Sequence, residues 1–206
     1  SNYNLGPGTG TYVTPAGTNL TMSDDTTVSV ALPFTLPFPG GSTNTLWVCS
    51  NGFVSSANNG SSFTPDVSAF LAGQRTWSAL WHDLLPTTGM VKVDSSPTVV
   101  RVSYTAVPNF SGGGTATFQY QFFPNGNVNV IYQAVNAAGN DYLVGYTPGG
   151  GATDSGNWNI SSNLPGGLSL CAGAIVPNLA LATSARPILG TTINLNTTNI
   201  PAGSFL

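Results

Sequence analysis

The residues able to do chemistry in this 206-residue chain are seven aspartates, one histidine, two cysteines and the aromatic side chains; there is no glutamate, and Lys92 is the only lysine. A glycosidase needs two carboxylates flanking a cleft. Asp24, Asp25, Asp66, Asp83, Asp94, Asp141 and Asp154 form no such motif. His82-Asp83 is the only histidine beside an acid. A Ser-His-Asp enzyme needs the acid to orient the imidazole, but neighbours on a strand point to opposite faces. No Gly-x-Ser-x-Gly elbow is present. The reading is therefore no catalytic residue, with Asp83 accepting backbone N–H groups in a turn. Asp24 and Asp25 are the candidates for Ca²⁺, an ion that takes six to eight hard oxygens. Asp141 or Asp154 would have to converge on them; otherwise the pair is a solvated turn. No other cofactor is expected.

Cys49 and Cys171 lie in no metal motif. In an oxidising compartment they would pair and close a loop of about 120 residues, worth roughly 5 kcal/mol by chain entropy. Trp47, Trp77, Trp81 and Trp158 invite comparison with a sugar-stacking platform. Trp77 and Trp81 have the same parity and are expected on one face, in the core with Trp47. Trp158 is the better exposed candidate, and Tyr146, Asn140 and Asp141 complete a candidate ligand-binding set.

Positioning falls to β-structure. Only 5% of residues are charged, with a net charge of −3, which leaves too few cations for a nucleic-acid surface. No apolar run is long enough to insert in a membrane as a helix. Helical periodicity is missing, while 41% hydrophobic residues argue against disorder. Residues 26–32, Leu46–Cys49, Phe53–Ser55, 77–83, 98–107, 117–123, 127–133, 142–146 and 168–171 read as strands. In 98–107, Val100, Val102, Tyr104 and Ala106 share one face, and Val107 lies on the other. Pro124-Asn125-Gly126 turns the hairpin that puts Phe118, Tyr120 and Phe122 inward with Val128 and Val130. Residues 66–72, between Pro65 and Gly73, form the one short helix, and residues 1–25 read as turn-like. The expected fold is an all-β antiparallel sandwich, jelly-roll-like as a variant, over residues 1–173. A strand-like extension at 174–206 would open another unit or serve as an assembly strand.

One ordered set of motifs goes beyond composition. Leu36-Pro-Phe-Pro-Gly-Gly precedes Leu46-Trp-Val-Cys-Ser-Asn-Gly-Phe-Val-Ser, then Trp77-Ser-Ala-Leu-Trp-His-Asp-Leu, Val99-Val-Arg-Val-Ser-Tyr, Phe118-Gln-Tyr-Gln-Phe-Phe-Pro-Asn-Gly and Tyr142-Leu-Val-Gly-Tyr. This order resembles nidogen-like extracellular β domains and related modules of large secreted bacterial proteins. The resemblance spans about residues 30–147 and implies surface or matrix architecture and adhesion, without a catalytic residue.

The expectation is a non-catalytic structural or adhesion module, secreted or at the cell surface. Its partners would be copies of itself or other extracellular proteins. A carbohydrate-binding module that takes glycans is the alternative, and a secreted hydrolase ranks behind it.

Overall fold

The computed structural model describes residues 3–87, 90–157, 167–171, 180–183 and 195–198. In chain order the elements are β1 (Asn4–Pro7), β2 (Thr18–Asn19), β3 (Thr27–Phe38), β4 (Gly41–Cys49), β5 (Phe53–Ser55), α1 (Val67–Ala72), β6 (Thr76–Trp81), β7 (Met90–Ser96), β8 (Val99–Pro108), β9 (Thr115–Phe122), β10 (Val128–Val135), β11 (Leu143–Thr147), β12 (Leu168–Cys171), β13 (Ala180–Thr183) and β14 (Leu195–Thr198). The fold is an antiparallel β-sandwich. One sheet has the order β1-β12-β10-β9-β8-β7-β2 and the other β11-β6-β5-β4-β3. Residues 1–172 form one compact unit and 173–206 a second, in which β13 and β14 pair antiparallel. Of the run at 186–195, expected as a strand, all but Leu195 lies outside the described residues.

Alternation builds the core between the sheets. Val100, Val102, Tyr104, Phe118, Tyr120, Phe122 and Val128 from the larger sheet meet Leu46, Val48, Val54 and Trp77 from the smaller. Trp77 stands edge-on to Phe122, 5.5 Å between ring centres. The β9–β10 hairpin turns as expected, with Gly126 at φ 88°. Helix α1 is also where the sequence places it, its N-terminus capped by the Asp66 carboxylate accepting from the Ala69 N–H at 2.6 Å.

Two bulges overturn expected faces. In β8 the register shifts between Tyr104 and Val107, and Ala106 sits at φ 49°. Val107 therefore enters the core, fully buried, and Ala106 is exposed. In β6, Trp81 pairs with Leu143 while Ser78 pairs with Gly145, so Ala79 and Leu80 lie opposite the single residue Val144. Trp77 stays in the inter-sheet core, but Trp81 joins Cys49, Phe53 and Phe70 in a separate cluster, to which α1 contributes Phe70. The two tryptophans do not share a face. Trp47 is half-buried rather than in the core.

The β6 bulge leaves backbone groups of Ala79 without a regular partner, and tyrosines from the opposite sheet supply one. The Tyr120 hydroxyl accepts from the Ala79 N–H and donates to the Gly52 carbonyl at 2.8 Å. The Tyr132 hydroxyl donates to the Ala79 carbonyl at 2.7 Å. Buried polar backbone needs such partners, so these tyrosines join the two layers.

Residues 1–25 are not simply turn-like. β1 and β2 lie at opposite edges of the larger sheet, so residues 8–17 cross its outer face as a strap. Gln119 donates to the Val13 carbonyl at 2.8 Å and accepts from the Val13 N–H at 3.2 Å. Gln121 donates to the Thr11 carbonyl at 2.9 Å, and the Asp94 carboxylate accepts from the Ala16 N–H at 3.0 Å. Gly10 allows the close approach: a Cβ there would fall 2.7 Å from the Gln121 side-chain oxygen.

The expected disulfide is absent: Cys49 and Cys171 are both free. Cys49 ends β4 in the smaller sheet, fully buried beside Phe53, Phe70 and Trp81. Cys171 ends β12 in the larger sheet and is exposed. Each strand's pairing commits its cysteine to a different sheet, and burial pushes the Cys49 thiol pKa up to about 11.

Candidate functional site

At one end of the smaller sheet the Ser50-Asn51-Gly52 turn collects the charged residues. Gly52 adopts φ 85°, and a Cβ there would lie 2.0 Å from the Leu80 carbonyl oxygen, so the turn presses against β6. Asn51 is fully buried. Its amide donates to Asp25 Oδ1 at 2.7 Å and to the Ser61 carbonyl at 3.0 Å, and its Oδ1 accepts from the Leu84 N–H at 3.0 Å. The Asn51 carbonyl accepts from the His82 N–H at 3.1 Å. One asparagine thus joins the Asp24-Asp25 turn to the end of β6.

This junction brings carboxylate oxygens of Asp24, Asp25 and Asp83 within 4.8 Å of one another. The third carboxylate is Asp83, not Asp141 or Asp154. Asp154 instead accepts from the Gly156 N–H at 2.8 Å. Asp24 Oδ1 is buried without a hydrogen-bond partner. Burial first, then repulsion from Asp25, raises the Asp24 pKa. Burial first, then Asp24 and Asp25, raises that of Asp83 against smaller opposing effects of His82 and Asn140. The three side chains could hold a hard divalent cation such as Ca²⁺, whose remaining oxygens would come from elsewhere.

The Asp83 carboxylate does not cap a turn through backbone N–H groups, as the sequence suggested. It accepts from the Asn140 amide at 3.0 Å, while its backbone carbonyl accepts from the Phe110 N–H at 2.9 Å. His82 is fully buried, and its Nδ1 meets the Asp141 carbonyl at 2.8 Å. The two side chains therefore hold neighbouring residues of one loop, 140–142.

The other ligand candidates divide. Asn140 and Asp141 line an open groove of about 440 Å³ with Tyr142. Tyr146 is not presented there: its ring packs edge-on to Tyr3 at 4.6 Å, and its hydroxyl accepts from Arg75 Nε at 3.3 Å. Trp158 lies outside the described residues. Sequence reasoning missed Asn51 and Tyr142 as site residues and placed Asp83 away from the Asp24-Asp25 pair. The co-occurrence of the Ser-Asn-Gly turn with Trp-His-Asp was the available signal for Asn51 and Asp83.

The chain matches the NIDO-related family, that is, nidogen-related domains, over residues 2–165. It belongs to that family. No curated protein and no solved structure gave a match. The NIDO-related domain is of extracellular type. Among the described residues no helix is long and apolar enough to cross a membrane. The match extends beyond the motif-bearing stretch in both directions, taking in the strap on one side and residues 148–165 on the other.

Proposed function

We propose that this chain is a non-catalytic structural and adhesion module, a secreted or cell-surface building block whose partners are copies of itself or other extracellular proteins. The observation that carries this reading is membership of the NIDO-related family over most of the chain. The use of chemistry-capable residues supports it: His82 and Asp83 bond to loop 140–142, and Asp66 and Asp94 bond backbone N–H groups.

Low charge suits assembly, because like copies repel weakly. β3, twelve residues without a charged side chain, is the outermost strand of the smaller sheet. Uncharged edges are templates for further strands, although Pro33 and Pro37 limit the usable stretch to about Thr27–Leu32. The extension at 174–206 is the second candidate assembly strand. Electron microscopy of the natively isolated protein tests the reading. Ordered fibres, tubes or sheets are expected, and dispersed monomers would overturn it. Deleting residues 183–206 is expected to reduce oligomer size, and unchanged size would remove the tail from the account.

A further inference from the structure

The most exposed large apolar side chain among the described residues, Tyr142 at 62%, belongs to the loop that buried His82 and Asp83 hold in place. The His82 bond fixes the Asp141 backbone carbonyl and the Asp83 bond fixes the Asn140 side chain, while the Asp141 and Tyr142 side chains stay exposed. Both residues line the groove with Pro65, Val67, Val144 and Asn157. The groove follows the start of β11, the outermost strand at the other edge of the smaller sheet.

We propose that this groove is a saccharide contact site. It rests on the extracellular reading above and names the chemistry of one adhesive surface. The Tyr142 ring supplies a flat apolar face for the C–H side of a pyranose ring. The Asp141 carboxylate accepts hydroxyl protons in charge-assisted bonds. The Asn157 amide offers both donors and acceptors to the ring's edge, and Asn140, whose Nδ2 is engaged by Asp83 and Ser111, offers its Oδ1 as an acceptor. A shallow site with one aromatic face and mixed amide and carboxylate edges suits a polyhydroxylated ligand. An extended peptide would instead seek main-chain pairing along β11. The pinned backbone reduces the ordering cost of binding.

The test uses the full chain against immobilised neutral oligosaccharides built on glucose, xylose, mannose and N-acetylglucosamine, with a library of extended peptides alongside. Saturable binding to at least one saccharide class is expected. It should weaken tenfold or more in Tyr142→Ala, survive in Tyr142→Phe, and weaken in Asp141→Asn, with melting temperatures unchanged because both side chains are exposed. No saccharide binding, binding undiminished in Tyr142→Ala, or Tyr142-dependent binding of peptides alone would each overturn the proposal. Microscopy of Tyr142→Ala separates the two readings. Intact assemblies without saccharide binding by the parent chain would sink this site alone. Saccharide binding by dispersed monomers would sink the assembly reading and leave the site standing.

Discussion

The strap region and the acidic end both bury polar side chains against backbone, yet they do so differently. Beneath the strap neutral amide and hydroxyl groups pair closely with one another, and a single carboxylate, Asp94, holds the Ala16 N–H while its Oδ2 is buried without a partner. Gln119 bonds Ser103 at 2.8 Å, Gln121 bonds Gln119 at 2.9 Å, and Ser169 bonds Asn129 at 2.5 Å. At the acidic end three carboxylates face one another, and both Asp24 Oδ1 and His82 Nε2 are buried without partners. A satisfied neutral network rigidifies a fold, whereas each unsatisfied buried group calls for its own explanation. The strap is architecture. The acidic end keeps charge in close quarters while positioning an exposed loop, and the candidate binding surface lies there.

Perturbing each region should separate the two. The largest effect is expected for Asn51→Ala, which strips a buried hub and strands the Leu84 N–H and the Ser61 carbonyl. A loss of about 3 kcal/mol in denaturant unfolding follows from two such unsatisfied groups. Gln119→Ala removes both bonds to Val13 and should cost about 2 kcal/mol. Hydrogen exchange should then quicken in residues 8–17 and stay unchanged at 140–143. Equal quickening in both places would merge the regions into one cooperative unit.

Charge distinguishes them further. Folding raises the pKa values of Asp24 and Asp83. The folded state therefore binds protons more readily than the unfolded chain as pH falls through the raised folded values. These groups cost stability at neutral pH, and the cost fades as pH falls toward the carboxylate range. Asp83→Asn should therefore melt higher than the parent at pH 7 in the presence of a chelator, by an amount that shrinks on acidification. A gain that persists unchanged at low pH would contradict the charge argument. The smallest effect is expected at the free thiols: reducing agent should leave the melting temperature unchanged, and Cys171→Ser should stay within about 0.5 kcal/mol, as exposed substitutions do.

These contrasts also mark what could be read from residues alone. The β9–β10 hairpin was legible because alternation and Pro124-Asn125-Gly126 agree on one register. Helix α1 was legible because its cap and its stop are local. The faces of Val107 and Trp81 were not, since a bulge adds one residue and inverts every later side chain. The strap was hidden because Gly, Pro and Thr that permit close passage over a sheet look like turn residues. Asp83 lies nearly sixty residues from Asp24 in sequence, and pairing of strands alone brings them together. The nidogen-like motif set contained both Asn51 and Asp83 without saying that they meet. The cysteines misled because spacing carries no information on which face each side chain takes: Cys49 packs with Phe53, Phe70 and Trp81 outside the inter-sheet core, and Cys171 is exposed.

The central claim is that His82 and Asp83 serve to hold loop 140–142 in a presenting position. Hydrogen exchange resolved by residue, comparing the parent with His82→Ala and Asp83→Ala, tests it most directly. Faster exchange confined to residues 139–143, with the strap at 8–17 unchanged, is the expected result. Unaltered protection at 139–143 in both variants would show that the loop stands without them and would contradict the account.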